Sequence, residues 1–226
     1  MSELLEIAAR VLEAVTPPGG AFDPRGPWRH TYGVYDLGAD LAARKNAVRN
    51  LAGTLRISRS PLSGGGSLLD IDLQRRTPPR TEERISGHMK CAPGVLASPT
   101  EWDFDWEART PGQSGSLKRK RAGNVALSSP YTANWALFDV VQRLEPKPAE
   151  PLRFTLLDEF DLVKPNQNLA FRKTTEVTLA KGPVTLNAFE QFGDGVLPVM
   201  YWTDDQGRLL FAISGLIAYA MKEDTK

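Results

Sequence analysis

The hydrophobic positions change period along the chain. In "MSELLEIAARVLEAVTPPGG", Leu4, Leu5, Ala8, Val11, Leu12 and Val15 recur at helical spacing. Ser2 suits an N-cap and Pro17-Pro18-Gly19-Gly20 a stop, which predicts a helix over 2–16. A Gly- and Pro-rich loop over 19–27 leads into "WRHTYGVYDLG", and "ADLAARKNAVRN" at 39–50 reads as a short helix or turn. From there the period becomes two. Leu55 and Ile57 share a face in "GTLRISR", as do Leu69, Ile71 and Leu73 in "LLDIDLQ". In "ERISGHMKC", Ile85, Met89 and Cys91 point inward while Ser86, His88 and Lys90 point outward. "SPLSGGGS" is a hairpin connection, not a phosphate loop, because no Gly-Lys-Ser/Thr follows and no helix opens there.

"EWDFDWE" places Trp102, Phe104 and Trp106 on one side of a strand and Glu101, Asp103, Asp105 and Glu107 on the other. "SLKRKRAGNVAL" follows a Pro/Gly loop, so a hairpin sets Lys118, Arg119, Lys120 and Arg121 beside it. One basic pair neutralises the acids, at roughly 0.2–1 kcal/mol per cross-strand pair. The other lies over Trp102 and Trp106 as cation–π partners. Ser129 and Pro130 open a predicted helix over "YTANWALFDVVQRL", with Trp135, Leu137, Phe138, Val140, Val141 and Leu144 apolar. Beyond it runs a meander with turn chemistry at "KPNQ", "AKGP", "FGDG" and "DDQG". The expected fold is mainly β with an α+β tendency, about nine or ten strands. It is a curved antiparallel sheet or incomplete barrel, with an N-terminal helix and a central helix near 130–144. Residues 1–226 form one domain, with the N-terminal helix packed on the sheet and a Pro-rich loop at 145–151.

Composition narrows the function classes. The chain has 226 residues and a net charge of +1, so no basic field points to nucleic acid or an anionic membrane. That length is ample for a hydrophobic core without staples. Cys91 is the single cysteine, which leaves no intrachain disulfide and no cysteine-based zinc site. Acids at Glu3, Glu6 and Glu13 interrupt the amino terminus, and no apolar run reaches bilayer length. A cytoplasmic protein without a membrane span is expected. No cofactor and no resident metal is called for, and nothing in the chain sets an oligomeric state.

Candidate chemistry is sparse. Acids two apart on a strand face lie roughly 6.5–7 Å apart, too wide to share one hard cation, and with basic neighbours the ladder reads as architecture. His30, in "PWRHTYGVYD", has Tyr32 beside it and can serve as a general base with Tyr32 as donor. His88 lies on the polar face of its strand. If that face lined a concave sheet it could meet His30 and a carboxylate in an acid–base or metal site. The bland alternative makes one a loop and the other a surface histidine. Cys91 packs as a small hydrophobe. "YWTDDQGR" reads as a hairpin turn.

"NWALFDVVQRL", "LDEFDLVKPNQNLAF" and "VTLNAFEQFGDGVLPVMYWTDDQGRLLFAISGLIAY" give residues 130–222 a resemblance to a bacterial family of uncharacterised β-sheet proteins. That domain of unknown function is lipocalin-like in shape, and many members are secreted. The resemblance implies a curved sheet and transfers no catalytic residue. The expected function is binding of a small or amphipathic ligand on the concave face, with Trp28, Tyr32, Trp135, Tyr201 and Trp202 near it. Two alternatives stand beside it. One is a carbohydrate-active lyase or hydrolase using His30 or His88 with Tyr32 and a carboxylate; the other is a structural subunit of a complex.

Overall fold

The structure, a computed structural model, describes residues 11–12, 15, 17–38, 51–77, 81–112, 115–124, 129–179 and 182–222. Its first six strands are β1 (Trp28–Asp36), β2 (Leu51–Pro61), β3 (Ser67–Thr77), β4 (Thr81–Cys91), β5 (Pro99–Arg109) and β6 (Leu117–Asn124). After β7 (Tyr131–Ala133) come one helical turn, α1 (Leu137–Val140), and a 3₁₀ turn (Val141–Arg143). β8 (Leu152–Asp158), β9 (Leu162–Leu179), β10 (Gly182–Gly193), β11 (Val199–Thr203), β12 (Leu209–Ser214) and β13 (Ile217–Met221) complete the set. All thirteen strands belong to one sheet, ordered β6-β5-β4-β3-β2-β1-β13-β12-β11-β10-β9-β8-β7. Among the described residues, no helix is long and apolar enough to cross a membrane.

The first and last strands pair at the middle of this sheet, Tyr32 opposite Met221 and Val34 opposite Tyr219. Two meanders run outward from that seam and end on β6 and β7, which are neighbours in sequence. Every pairing is antiparallel except β7 with β8. The sheet is mainly β, curved and open, as the alternation predicts. Among the described residues its two edge strands, β6 and β7, do not pair with each other, yet side chains span the gap. Ser98 Oγ donates to the Tyr131 carbonyl at 2.5 Å, and the Tyr131 hydroxyl to the Pro99 carbonyl at 2.9 Å. At the β8–β9 tip, Phe160 stacks on Trp102 and Phe104 with centroids 4.9 and 5.1 Å away. Arg121 donates to the Glu159 carbonyl at 2.8 Å and pairs with Asp161. Glu159 and Phe160 have φ of 49° and 60°, two left-handed residues in a row, as a tight hairpin turn of right-handed twist requires.

Register settles the hairpin of acids and bases. Glu107 lies opposite Lys118 and Asp105 opposite Lys120. Lys118 reaches Glu107 at 3.6 Å, Lys120 reaches Asp103 at 3.1 Å, and Lys90 reaches Glu101 at 2.6 Å. Arg119 and Arg121 lie over the Trp106 ring, 5.5 and 6.0 Å from its centroid. The acidic ladder is thus the solvated outer side of a strand whose inner side carries aromatic packing. Lysines and arginines along β6 also guard the open edge against pairing with another chain.

Ten strands could be read from alternation; three more come from particular places. "WRHTYGVYD" is β1, with Trp28, His30, Tyr32 and Val34 all buried on one face. "RLLFAISGLIAYAM" is two strands, divided at Gly215 with φ of 57°. Tyr131–Ala133 is strand β7, which shortens the helix expected over 130–144 to α1 and its 3₁₀ turn. The free edge of β8 supplies partners that outcompete a helix there: Thr155 N donates to Pro130 O at 2.9 Å. "KPNQ" is not a turn either; it is an irregularity inside β9, with Asn166 at φ of 55° and the register shifted against Phe154–Leu156. The stretch 145–151 carries no helix or strand. The short helix or turn at 39–50 and most of the N-terminal helix lie outside the described residues, although Val11 and Val15 are buried in the core.

α1 and the 3₁₀ turn lie inside the rolled sheet, where a charged residue is clamped. Asp139, fully buried, faces Arg59 Nε at 3.0 Å and Arg143 Nη2 at 2.8 Å. Burial pushes its carboxyl above the usual carboxylate range, and the two guanidiniums oppose that rise. Cys91 packs in the core, as its alternation implies, and burial pushes its thiol up to about 12. Three outcomes are expected. Asp139→Ala removes the acceptor of two arginines and lowers the unfolding free energy by roughly 3–5 kcal/mol in urea at pH 7; a loss near zero would mean that the guanidiniums do not depend on this carboxyl. A raised native pKa also makes the Asp139 contribution to stability fall as pH climbs from the unfolded carboxylate value to the raised one. Cys91 should resist a thiol-reactive disulfide reagent at pH 8 in the folded protein and react fully in denaturant; rapid labelling of the native chain contradicts its burial.

Candidate functional site

The site begins with two neighbouring ranks of side chains. Tyr201 lies opposite Ala212, which lies opposite Tyr219. Two residues along each strand, Val199 lies opposite Ser214 and Ser214 opposite Ile217. Positions two apart share a face, so both ranks point into the roll. α1 arrives from the other side. Phe138 touches Tyr201, Tyr219 and Trp135 with ring centroids 5.9, 5.5 and 6.1 Å away, the two tyrosines edge-on. Between these elements and the β8–β9 hairpin lies a cavity of about 400 Å³.

Its walls are apolar on one side and polar on the other. Leu156, Val196, Val199 and Ile217 join the aromatic rings. Arg75 enters from β3, bonded to Glu83 at 2.6 Å and facing Glu159 at 3.7 Å. Burial works against its charge, and Tyr219, Glu83 and Glu159 together outweigh that and hold it protonated. Lys164 and Asp158 pair at 2.6 Å across the hairpin stem. The Tyr201 hydroxyl donates to Gln191 Oε1 at 3.4 Å, and Gln191 Nε2 donates to Gln167 Oε1 at 3.4 Å. Burial pushes both tyrosine hydroxyls well above their usual range, so they remain neutral hydrogen-bonding groups. Each cation present has an acid partner, so the cavity carries no net charge of its own to select an ion.

Of the residues singled out for ligand binding, Trp135 and Tyr201 line this cavity. Trp202 follows Tyr201 in β11 and therefore takes the opposite face, 5.2 Å from the Phe211 ring. Trp28 is buried on β1, its ring stacked on His30 at 4.7 Å. Tyr32 is fully buried, donates to the Leu209 carbonyl at 3.1 Å and meets Phe138 edge-on at 5.6 Å. It stands behind the cavity's aromatic wall.

The two histidines do not meet. His30 lies opposite Ile57, Ile57 opposite Ile71, and Ile71 opposite Gly87. His88 is the next residue after Gly87, so it points to the opposite face of the sheet from His30. Its cross-strand neighbours there are Asp70 and Asp103. His30 is buried among Trp28, Phe22 and Tyr32. Gln142 fixes its tautomer. Gln142 Nε2 donates to the Phe138 carbonyl at 2.9 Å, so Oε1 turns toward His30 and also accepts from Leu209 N at 3.2 Å. His30 Nε2, 3.0 Å from that oxygen, is the donor. Among the described residues, no group of three or more His, Cys, Asp or Glu is placed to hold a metal ion.

Asp204 and Arg208 build a turn. Asp204 Oδ1 accepts from Gln206 N at 3.0 Å and Arg208 N at 2.8 Å, and Gly207 has φ of 83°. Arg208 then ties down the chain before β1 through the carbonyls of Pro18 at 2.6 Å and Gly20 at 3.1 Å. The cavity residues missing from the sequence reading are Tyr219, Gln191 and Arg75. Tyr219 sits two residues from Ile217, a visible alternation, but only strand pairing reveals that it neighbours Tyr201.

No protein-family model matches the chain. No curated protein matches it either. Among solved structures, it is similar to the crystal structure of a β-barrel-like protein of domain of unknown function DUF1849 from Brucella abortus. The two share a TM-score of 0.51 at 9% sequence identity, over 88% of this chain and 96% of that one. At that identity the likeness is one of fold. The likeness spans most of the molecule, and the architecture is β-barrel-like, in keeping with the curved sheet implied by the resemblance of residues 130–222.

Proposed function

We propose that this protein binds a small, uncharged amphipathic molecule in the cavity between α1 and strands β10–β13, without transforming it. The observation that carries the reading is the wall itself. Trp135, Phe138, Tyr201 and Tyr219 enclose about 400 Å³ beside a polar side built from Arg75, Gln191 and the tyrosine hydroxyls. Ligand pockets typically occupy roughly 300–1,000 Å³ and combine apolar walls with a few fixed polar groups. An apolar body would lie on the rings, and a hydroxyl, ether or amide would meet Gln191 and the phenols. Cations already paired with Glu83, Glu159 and Asp158 favour a neutral head over an anionic one. Leu197, 68% exposed, carries the apolar surface from the cavity wall to solvent.

Ser214 stands half-buried in the outer rank, where a larger side chain fills the space without replacing a core residue. Ser214→Trp is expected to weaken binding of a neutral environment-sensitive naphthalene dye by about tenfold or more. The unfolding midpoint should stay within a few degrees of the parent's. Equal dye binding by parent and variant, measured by fluorescence titration, would remove the cavity from consideration. Tyr201→Phe should cost a neutral alcohol about 1 kcal/mol of affinity and leave a pure hydrocarbon unaffected.

A further inference from the structure

We propose that a second cavity, on the other side of α1, binds a doubly charged oxyanion of the phosphate-monoester type. It measures about 430 Å³ and lies between the β2–β3 connection and the β4–β5 connection. Arg25, Arg59 and Arg143 line it, and among the described residues its lining includes no carboxylate. These cations come from three separate places: the loop before β1, strand β2 and the 3₁₀ turn. No local stretch of sequence displays them together.

The arginines are positioned before any ligand arrives. Arg59 is only 7% exposed. Its Nε faces Asp139 at 3.0 Å, and its Nη1 donates to the carbonyls of Arg25 and Gly26. Its Nη2 makes no hydrogen bond to a described residue. Arg143 is held by Asp139, with Nε at 2.9 Å and Nη2 at 2.8 Å. It also donates to the carbonyls of Gly94 and Val95, at 2.9 and 3.0 Å. Arg25 is exposed; its backbone nitrogen donates to Asp23 Oδ1 at 2.9 Å, and its guanidinium forms no ion pair with a described residue. Asp139 therefore neutralises one of three positive charges, and two remain facing the cavity. A planar guanidinium matches phosphate oxygens, and fixed guanidiniums lose little freedom on binding. Two residual charges balance a dianion better than a carboxylate. Pro61, Leu62 and Val95 give the same cavity apolar walls, suited to the organic part of a monoester.

The glycine run over 64–66 borders this cavity yet lacks the lysine of a nucleotide loop. Here the charge comes from other elements, and the glycines leave the entrance open: a Cβ added at Gly94 would meet nothing within 4 Å, and one at Gly65 only Pro93, at 3.9 Å.

Calorimetric titration of the full chain at pH 8 tests the assignment, with inorganic phosphate and phenyl phosphate as probes. Sodium chloride at equal ionic strength and sodium acetate serve as controls. Phosphate should bind, phenyl phosphate should bind more tightly, and chloride should give no saturable signal. Arg25→Ala removes the exposed cation and no buried contact, so it should keep the parental unfolding midpoint and weaken both probes at least about tenfold. Absence of saturable phosphate binding, or equal binding by Arg25→Ala and the parent, overturns the site. Acetate binding as tightly as phosphate overturns its dianion character. Dye binding in the first cavity is read separately and does not depend on this result.

Discussion

Phe138 occupies the space that a curved sheet of thirteen strands cannot fill with its own side chains. One ring meets Tyr32 on β1, Tyr201 on β11, Tyr219 on β13 and Trp135 beside it. The sheet's two edge strands, β6 and β7, do not pair with each other, and among the described residues only side-chain contacts join the arms there, so their curvature depends on what lies between them. A single helical turn supplies that filling, and neighbouring residues anchor it. Asp139 binds Arg59 on one arm, and Gln142 joins His30 on β1 to the start of β12. Removing water from these polar groups is costly, and each is offset by a specific partner.

The same plug divides the interior into two environments. Toward β10–β13 it presents Trp135 and Phe138, and the cavity there is aromatic, with its cations already paired. Toward the β2–β3 and β4–β5 connections it presents Arg143, and the cavity there keeps an excess of positive charge. The closure at the β8–β9 tip bears on the first of these. Glu159 faces Arg75 from the cavity rim, while its neighbour Phe160 packs on Trp102 and Phe104. The contacts that hold the roll together are therefore also part of the cavity wall.

Much of the architecture was legible from alternation. The inward sets Leu55/Ile57, Leu69/Ile71/Leu73 and Ile85/Met89/Cys91 are buried as read, and the acids of "EWDFDWE" face lysines as expected. β1 escaped because His30 and the aromatic residues around it do not look like an alternating strand; Gln142, which bonds His30, and Leu209, which accepts from Tyr32, lie far away in sequence. β7 escaped because Tyr131–Ala133 has no strand pattern of its own and borrows its hydrogen bonds from β8. Of the candidate site, Trp135 and Tyr201 were found as aromatic residues in suitable elements. Tyr219, Gln191 and Arg75 were not, since no spacing within the chain links them.

By itself, the sequence determined which residues face inward and where most strands turn, because a period of two and the chemistry of Gly, Pro and Asp are local properties. It also determined that Lys118–Arg121 would meet the acidic ladder, because a short loop leaves a strand few alternatives. Tertiary structure alone decided which strands are neighbours, that β1 pairs with β13, and that His30 and His88 look in opposite directions. It alone assembled three distant arginines around one cavity and four aromatic rings around another. Register and curvature are set by sums of contacts between segments far apart in the chain, and no local pattern carries that information.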